Sequence, residues 1–359
     1  MESTNQGIEI DLTRKMKDFS VHVQFKTEKK RIGILGASGC GKSMTLKMIA
    51  GILQADSGKI KIDGKTLYDD QKNINIIPQK RKVGFLFQNY ALFPNMTVAE
   101  NVAISMTESS RQKRKEKALE WLRRFSMEEL SERYPKQLSG GQQQRVALIR
   151  ILAYQPDIIL LDEPFSALDG YLRDKMQREL MSCLSEFQGP VILVSHSQEE
   201  IYQFAQELIV MDKGKVIKQG EPKEIFENPE LATVAKLTGC QNIAPATWLD
   251  KDRIYIEDWD LLLKVDVKPE EISKITHAGI RAHEISDRIL DEENNFVFDL
   301  VEKVELPFED RYFIKRHGKN TKKTICWKKQ KKLEEKQKKD FPCTLAFPRE
   351  QILLLKDTL

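Results

Sequence analysis

The sequence contains no long apolar run. No stretch of about 18 consecutive apolar residues, the length that a membrane-spanning helix needs, occurs in its 359 residues. Residues 1–6 also lack a basic region followed by an apolar one, so we expect no secretory signal. With 40% apolar and 31% charged residues, the composition is typical of a globular protein in water. These features together predict a cytoplasmic protein.

Cysteine is scarce and scattered. The five cysteines are Cys40, Cys183, Cys240, Cys326 and Cys343, and they form no Cys-x-x-Cys pair. An odd, dispersed set predicts free thiols in a reducing compartment and argues against a zinc site or a disulfide framework. The net charge of +4 is small for this length, so it gives no reason to expect a nucleic-acid partner. The basic segment 328–336 favours a solvated loop or short helix, with binding to anionic lipid or nucleic acid as the alternative.

A glycine-rich segment stands between an apolar run and a helical pattern. Residues 32–35 read Ile-Gly-Ile-Leu, and residues 46–52 place apolar side chains at helical spacing. Glycines let successive backbone N–H groups converge on an anion, and the start of a helix favours negative charge. The segment therefore predicts a phosphate-binding loop, with a chance glycine-rich turn as the alternative. Its candidate ligand-binding residues are Gly36, Ser38, Gly39, Cys40, Gly41, Lys42, Ser43 and Met44.

Three residues of this loop have distinct expected roles. Lys42 would reach the terminal phosphates of a nucleotide, and Ser43 would bind Mg²⁺. Cys40 invites interpretation as a nucleophile, but a side chain that points away from the ligand is the preferred interpretation at such a loop position.

An acidic pair follows a strand-like apolar run. Asp162 and Glu163 come directly after Ile-Ile-Leu-Leu at residues 158–161, and ligands of parallel α/β sheets bind where the strands end. Mg²⁺ prefers oxygen ligands, and nucleotide hydrolysis needs a base beside the terminal phosphate. Asp162 is therefore predicted to bind Mg²⁺, and Glu163 to act as the general base. For the pair taken alone, a solvated turn is the alternative.

A second anion-binding helix start is predicted within residues 138–145, Leu-Ser-Gly-Gly-Gln-Gln-Gln-Arg. A serine and two glycines open this helix, but no lysine accompanies them. Two half-sites in one chain suggest that each is completed across a dimer. The predicted nucleotide-binding residues of this segment are Ser139, Gly140, Gly141 and Gln142.

The chain divides into two regions of different pattern. Continuous apolar runs at residues 158–161 and 191–194, flanked by helical patterns, predict a parallel α/β sheet covered on both faces. The last third instead shows short alternating strands separated by turns, which favours a small β-barrel or sandwich. We therefore predict an α/β domain at 1–235, with a helical subdomain at about 89–150, and a β-rich domain at 236–359.

The order of the motifs resembles that of the nucleotide-binding subunit of an ATP-binding cassette transporter, over about the first 235 residues. The matching segments are the phosphate loop at 36–43, Gln88 as the Q-loop, the signature sequence at 138–142, Asp162 and Glu163, the D-loop at 166–169 and His196 as the switch histidine. The resemblance implies a RecA-like P-loop ATPase core with a helical subdomain, ATP and Mg²⁺ as ligands, and two nucleotides held in a homodimer. It also implies catalytic roles for Gln88 and His196 beside Glu163, with Gln88 as a further magnesium ligand.

Two departures from the family pattern stand out. The family often has a second hydroxyl residue after the magnesium serine, whereas Met44 stands here and Thr45 follows. One phosphate hydrogen bond is therefore expected to be missing, worth roughly 1.5–3 kcal/mol because its acceptor is charged. No aromatic residue occurs at 11–17 to stack on adenine. Phe19 is the nearest candidate, but its alternating neighbours favour a place in the core.

Two segments bear on the kind of cassette protein. Residues 88–98 resemble importer subunits for small ions, polyamines and sugars, and Tyr90 and Phe93 there either contact a permease or pack within the helical subdomain. The tail resembles the OB- or barrel-like regulatory domain of this importer group. Its Arg281-Ala282 pair favours molybdate and sulfate importers. Arg281 and His283 could bind an oxyanion, although a structural ion pair with a neighbouring acid is the favoured interpretation.

The resemblance thus implies a peripheral ATPase subunit on the cytoplasmic side of the cell membrane. It would form a homodimer on a separate integral-membrane permease, served by a substrate-binding protein, and power uptake of molybdate or sulfate. An importer of polyamine, ferric iron or sugar is the first alternative. A soluble cassette ATPase acting on DNA or the ribosome is another, but such proteins usually join two cassettes or insert long coiled coils. Lys42 and Glu163 argue against a non-enzymatic regulator.

Overall fold

The computed structural model describes residues 7–108, 110–165, 170–266, 269–289, 293–331 and 340–357. The predicted D-loop, residues 166–169, lies outside the described residues. The chain forms two compact units, Met1–Pro222 and Lys223–Leu359. The second unit therefore begins before the predicted boundary at residue 235, and Arg281 donates a hydrogen bond to the carbonyl oxygen of Phe226 in the segment between the two boundaries.

The first unit contains one large sheet, a set of covering helices and a separate helical group. Its elements are β1 (Ile8–Lys15), β2 (Ser20–Thr27), β3 (Arg31–Gly36), α1 (Lys42–Ala50), β4 (Ser57–Ile62), β5 (Lys65–Asp69), β6 (Ile74–Asn75), β7 (Val83–Leu86), α2 (Val98–Ala103), α3 (Arg111–Arg124), α4 (Gly140–Ala153), β8 (Ile158–Asp162), α5 (Gly170–Ser185), β9 (Val191–Ser195), α6 (Gln198–Phe204), β10 (Glu207–Asp212) and β11 (Lys215–Gly220).

The sheet has the strand order β6-β5-β4-β1-β2-β11-β10-β3-β9-β8-β7. The five strands from β10 to β7 run parallel, and the strands from β6 to β2 pair antiparallel. Every residue of β8 and β9 is buried, as expected for strands covered by helices on both faces. The parallel order brings the ends of β3, β7, β8 and β9 to one edge of the sheet, and all the predicted catalytic residues follow those ends. The predicted α/β fold is confirmed.

The helices α2, α3 and α4 pack around an apolar core of their own. Val98, Val102, Leu122, Val146 and Ile149 are fully buried within it. The Thr97 hydroxyl accepts a hydrogen bond from the Glu100 backbone, and the Glu100 side chain accepts one from Thr97, so α2 begins with a reciprocal cap. This group corresponds to the helical part of the sequence prediction, interrupted by loops between α2, α3 and α4.

The second unit is β-rich, as the alternating pattern predicted. Its elements are α7 (Pro222–Glu227), α8 (Ala232–Leu237), β12 (Asn242–Pro245), β13 (Thr247–Trp248), β14 (Arg253–Ile256), β15 (Leu261–Lys264), β16 (His277–Ile280), β17 (Asn295–Glu305), β18 (Glu309–Arg316), β19 (Ile325–Gln330), β20 (Cys343–Ala346) and β21 (Ile352–Leu355). Within the described residues of this unit, the strands form three small sheets, ordered β12-β16-β21, β13-β14-β15 and β19-β18-β17-β20. Their shared core includes Trp259, Phe298, Trp327 and Phe347.

Candidate nucleotide site

The phosphate loop turns through two glycines that no other residue would replace easily. Gly39 and Gly41 have φ of 80° and 104°, a region that side chains with a Cβ rarely adopt. At Gly36 a Cβ would lie 2.5 Å from the Met211 carbonyl oxygen. The loop then enters α1 at Lys42, whose first N–H groups have no intrahelical partner. The loop therefore presents backbone donors to an anion.

The Lys42 ammonium lies within this loop. Its Nζ donates to the carbonyl oxygens of Gly36 and Ala37, at 2.8 and 2.9 Å. The residue is only 4% exposed. The positive charge is thus held at the turn by two backbone acceptors, in a place where phosphate oxygens would complete its hydrogen bonding.

The predicted magnesium ligands are in contact. Ser43 Oγ donates to Asp162 Oδ1 at 2.6 Å, although the two residues are 119 positions apart in the sequence. Burial raises the pKa of Asp162, and the Ser43 hydrogen bond opposes that shift. A hydroxyl and a buried carboxylate are the hard oxygen donors that Mg²⁺ prefers, and the ion's charge would offset the cost of burying the carboxylate. The residues therefore fit a magnesium ion.

Glu163 and His196 are also brought together. Glu163 Oε2 lies 3.6 Å from His196 Nδ1, with 25% and 52% of the two side chains exposed. The Glu163 backbone has φ of 47°, and its N–H donates to the Val194 carbonyl oxygen at 3.0 Å. Because a positive φ costs energy in a residue with a Cβ, the end of β9 holds Glu163 in a conformation that the sequence alone disfavours. Both side chains are partly exposed to solvent.

Gln88 follows β7 and begins an unusual turn. The next turn residues, Tyr90 and Ala91, have φ of 59° and 46°. Arg150 of α4 donates to the carbonyl oxygens of both, at 3.0 and 2.8 Å, and so stabilises the turn. Tyr90 is buried, whereas Phe93 is 45% exposed, with the Arg150 guanidinium 5.7 Å from its ring centre. Of the two side chains predicted to contact a permease, Phe93 is therefore the exposed one.

The signature segment caps its own helix. Ser139 Oγ accepts from the Gln142 N–H at 3.3 Å, and Gln142 Oε1 accepts from the Ser139 N–H at 2.9 Å. Ser139 and Gly140 are exposed, whereas Gly141 is buried. A Cβ at Gly141 would lie 2.2 Å from Met176 Sδ of α5. A side chain at the second glycine would therefore require the Met176 side chain to move.

The structure shows where the side chains of Cys40, Met44, Thr45 and Phe19 lie. Cys40 is 5% exposed within the core of the first unit, and burial raises the pKa of its thiol. Met44 and Phe19 are half-buried and pack against the same core. Thr45 is fully buried, and its hydroxyl donates to the Gly41 carbonyl oxygen at 3.0 Å. Thr45 therefore does not replace the hydroxyl that Met44 lacks.

Three residues that support the site have no motif in the sequence. Arg150 holds the turn after Gln88, and the fully buried Asn101 bonds the backbone of Phe93 with its amide oxygen at 2.8 Å. Glu200 is 5% exposed and accepts a hydrogen bond from Ser195 Oγ at 2.5 Å, directly behind His196. The sequence indicates such residues only by a polar side chain on an otherwise apolar helical face. That pattern does not identify the residue to which the side chain bonds.

Arg281 serves neither of its predicted roles. Its guanidinium donates to the Thr238 carbonyl oxygen at 2.5 Å, to the Thr238 hydroxyl and to the Phe226 carbonyl oxygen. The guanidinium is therefore hydrogen-bonded to backbone and hydroxyl oxygens, and not to an oxyanion or an acidic side chain. His283 is exposed, with Nε2 3.2 Å from Glu284 Oε1.

The start of the basic segment is charge-paired. Lys328, Lys329 and Lys331 lie within 3.9, 2.9 and 3.3 Å of acidic side chains, which favours a solvated, paired surface. Residues 332–339 lie outside the described residues. Across the described ranges, no helix is both long enough and apolar enough to span a bilayer.

Comparison with known proteins gives consistent matches to one family. A family model described as ABC transporter matches residues 19–166. The spermidine/putrescine import ATP-binding protein of Haemophilus influenzae is 40% identical over 222 residues, which cover 61% of this chain and 58% of that protein. The sulfate/thiosulfate import ATP-binding protein of Synechococcus elongatus is 38% identical over 263 residues, covering 69% of this chain and 75% of that protein.

A solved structure is also similar to this chain. It is a dimeric, post-hydrolysis ATP-binding cassette bound to ADP and Pi, 31% identical, covering 60% of this chain and 98% of that chain with a TM-score of 0.49. Of the two import proteins, the chain spans a little over half the length of the spermidine/putrescine relative and three quarters of the length of the sulfate/thiosulfate relative.

Proposed function

The chain belongs to the ATP-binding cassette transporter family, and from this membership we propose that it is the ATP-hydrolysing subunit of an importer. One observation carries the proposal: Ser43 contacts Asp162, and Glu163 contacts His196, at the same sheet edge as the phosphate loop. Nucleotide hydrolysis requires such a metal-ligand pair and such a base beside one phosphate cradle.

The proposed catalytic unit is a homodimer. Ser139 and Gly140 lie exposed at the start of α4, where the Ser139 hydroxyl and the Gly140 N–H could donate to a nucleotide held by the phosphate loop of a partner subunit. Binding of ATP would close the interface, and hydrolysis would reopen it. Hydrolysis is thereby tied to a change of shape, which a transporter needs.

Each residue at the sheet edge has a proposed task. Glu163 takes a proton from the attacking water, and His196 holds the terminal phosphate from the same subunit. Mg²⁺ bound at Ser43 and Asp162 would supply positive charge to the phosphate oxygens. Gln88 is proposed as a further Mg²⁺ ligand and as a residue whose position depends on the γ-phosphate. The exposed position of Gln88 at the end of β7 supports this role.

A groove in the helical group is the proposed docking site for a helical segment of the permease. It has a volume of about 1040 Å³ and lies between α2 and α3. Ala99, Ala103, Ile104 and Leu119 give it apolar walls. Its charged rim consists of Glu100, Arg111, Arg114, Lys115, Glu116 and Glu132. An apolar groove with a mixed-charge rim suits one face of an amphipathic helix.

Changing Ile104 to glutamate should uncouple the subunit from its permease. Ile104 is 49% exposed in the groove, so a charge there would disfavour an apolar partner without disturbing the core. We expect permease-stimulated ATP hydrolysis to fall at least tenfold, since burying an unpaired charge costs more than 1.4 kcal/mol, roughly one decade. ATP affinity of the isolated chain, measured by titration, should stay within about twofold. Undiminished stimulation would contradict docking at this groove.

The proposed substrate is an oxyanion, sulfate or molybdate, with polyamine as the alternative. Relatives of both kinds match this chain, one named for sulfate/thiosulfate and one for spermidine/putrescine. Arg281 is occupied by backbone acceptors, so the preference for an oxyanion rests on the Arg281-Ala282 sequence pattern alone. The solute itself would be selected by the permease and the binding protein.

Reconstitution tests this proposal directly. The subunit, its permease and its binding protein would be placed in vesicles and given sulfate, molybdate, spermidine or ferric iron, with ATP inside or outside. Uptake of sulfate or molybdate that depends on ATP at the subunit face is the expected result. Uptake of spermidine alone would replace the substrate assignment, whereas recovery of the chain with ribosomes and no permease would overturn the importer function.

A further inference from the structure

A buried carboxylate lies close to the predicted switch histidine. Glu200 stands in the first turn of α6 and is only 5% exposed. By contrast, 52% of the His196 side chain is exposed, and its Nδ1 lies 3.6 Å from Glu163 Oε2. Burying a carboxylate is costly unless hydrogen bonds or opposite charges compensate for the lost water. The groups around Glu200 therefore indicate what the residue does there.

Hydrogen bonds from Glu200 span the turn that carries His196. Ser195 Oγ donates to Glu200 Oε2 at 2.5 Å and accepts from the Ser197 N–H at 2.9 Å. The Ser197 hydroxyl in turn accepts from the Glu200 N–H at 3.3 Å. The residues on both sides of His196 are thus bonded to each other and to Glu200.

This small network is anchored to the sheet. Ser195 is the last residue of β9, is 2% exposed and pairs with Leu35 of β3. The carbonyl oxygen of the preceding residue, Val194, accepts from the Glu163 N–H at 3.0 Å. The turn that carries His196 therefore starts beside the backbone that holds the proposed general base. A shift of Ser195 would change the distance between the histidine and Glu163.

The surroundings of Glu200 fix the direction of these hydrogen bonds. Burial raises the pKa of Glu200, whereas the Ser195 hydrogen bond and the positive charge of Arg173 oppose that shift. Arg173 Nε lies 3.8 Å from Glu200 Oε1. A carboxylate accepts hydrogen bonds but cannot donate them. The Ser195 hydroxyl hydrogen is therefore directed at Glu200, and the hydroxyl oxygen is left to accept from Ser197.

We propose that Glu200 is a positioning residue for ATP hydrolysis, which acts through Ser195 on the orientation of His196. The inference rests on the proposed function, in which His196 holds the terminal phosphate. Glu200 is buried and is not expected to contact the nucleotide. Its carboxylate keeps the turn in the arrangement that sets the histidine beside Glu163, and it belongs to none of the motifs identified in the sequence.

A double-mutant cycle in the full-length subunit tests this role. ATP hydrolysis would be measured against ATP concentration for the wild type, Glu200→Ala, His196→Ala and the double variant. Glu200→Ala should lower kcat roughly tenfold, because a misplaced group loses much of its contribution. The KM for ATP should change less than about twofold, since contacts with the nucleotide are intact. In the His196→Ala background, which retains Glu163, the same substitution should cost less than about twofold in kcat, because the histidine that Glu200 positions is absent.

Matched variants separate positioning from folding. Glu200→Gln keeps an oxygen that can accept from Ser195 and should retain at least about half of the wild-type kcat. Ser195→Ala removes the donor and should lose as much kcat as Glu200→Ala. Glu199→Ala removes an exposed acid from the same helical turn and should leave kcat within about twofold. If Glu200→Ala fails to fold, judged by circular dichroism, Ser195→Ala replaces it in the same cycle.

Each remaining outcome has one meaning. An unchanged kcat in Glu200→Ala, or equal losses with and without His196, would overturn the positioning role while leaving the ATPase assignment intact. A Glu200→Gln variant as slow as Glu200→Ala would overturn positioning by the Ser195 hydrogen bond. A wild-type chain that binds no ATP and hydrolyses none would instead overturn the proposed function.

Discussion

Replacing Glu163 by glutamine should lower ATP hydrolysis by roughly 100- to 10,000-fold, the range that a positioned general base contributes. The amide keeps the shape and one acceptor oxygen of the carboxylate but cannot accept a proton from water. ATP binding should survive, since the phosphate loop and the contact of Ser43 with Asp162 do not involve this side chain. The variant should therefore accumulate as a nucleotide-bound dimer, measured by size-exclusion chromatography with light scattering in ATP and Mg²⁺.

The neighbouring residues provide the controls. His196→Ala should also slow hydrolysis, because His196 Nδ1 lies 3.6 Å from the Glu163 carboxylate. This variant retains Glu163, the proposed general base. Glu199→Gln changes an acid in the first turn of α6 and should leave turnover within about twofold. An unaltered rate in Glu163→Gln would remove Glu163 as the base, and a monomeric variant in ATP would argue against the shared nucleotide site.

Local pattern was sufficient to predict the main parts of the site. Glycines followed by a lysine and a serine, between an apolar run and a helical pattern, favour a turn into a helix, and the run before Asp162 is apolar at every position, which is typical of a strand covered on both faces. Because parallel strands end at a common edge, the sequence could also predict that Ser43 and Asp162 meet. The comparisons with known proteins confirmed the family assignment, and the structure confirmed the α/β fold and the β-rich second region.

The contacts of long side chains could not be predicted from local pattern. Arg281 has five donors that suit a carboxylate, a phosphate or backbone carbonyls equally, and only the fold shows that carbonyls of Phe226 and Thr238 take them. Arg150 reaches a turn about 60 positions away. Thr45 could have offered a hydroxyl to a phosphate, but its place on the inner face of α1 directs it to Gly41. Such choices depend on packing, which pattern does not encode.

Replacing Lys42 by methionine should weaken ATP binding about 100-fold. Methionine fills similar space, so the loss isolates the ammonium, and a hydrogen bond to a charged group is worth roughly 1.5–3 kcal/mol, with about 1.4 kcal/mol per decade of affinity. ADP should lose less affinity than ATP, since the lysine is expected to reach the terminal phosphates. Isothermal titration with both nucleotides, in Mg²⁺, measures the two losses.

The geometry around Lys42 explains why arginine should not rescue the site. Lys42 Nζ fits between the carbonyl oxygens of Gly36 and Ala37, 2.8 and 2.9 Å away, in a residue that is almost fully buried. A planar guanidinium is wider than an ammonium and cannot occupy that space without moving the loop. Lys42→Arg should therefore bind ATP nearly as poorly as Lys42→Met, whereas Lys26→Met, which removes an exposed charge from β2, should bind normally. Full affinity in the arginine variant would show that charge alone, and not its place within the loop, holds the phosphates.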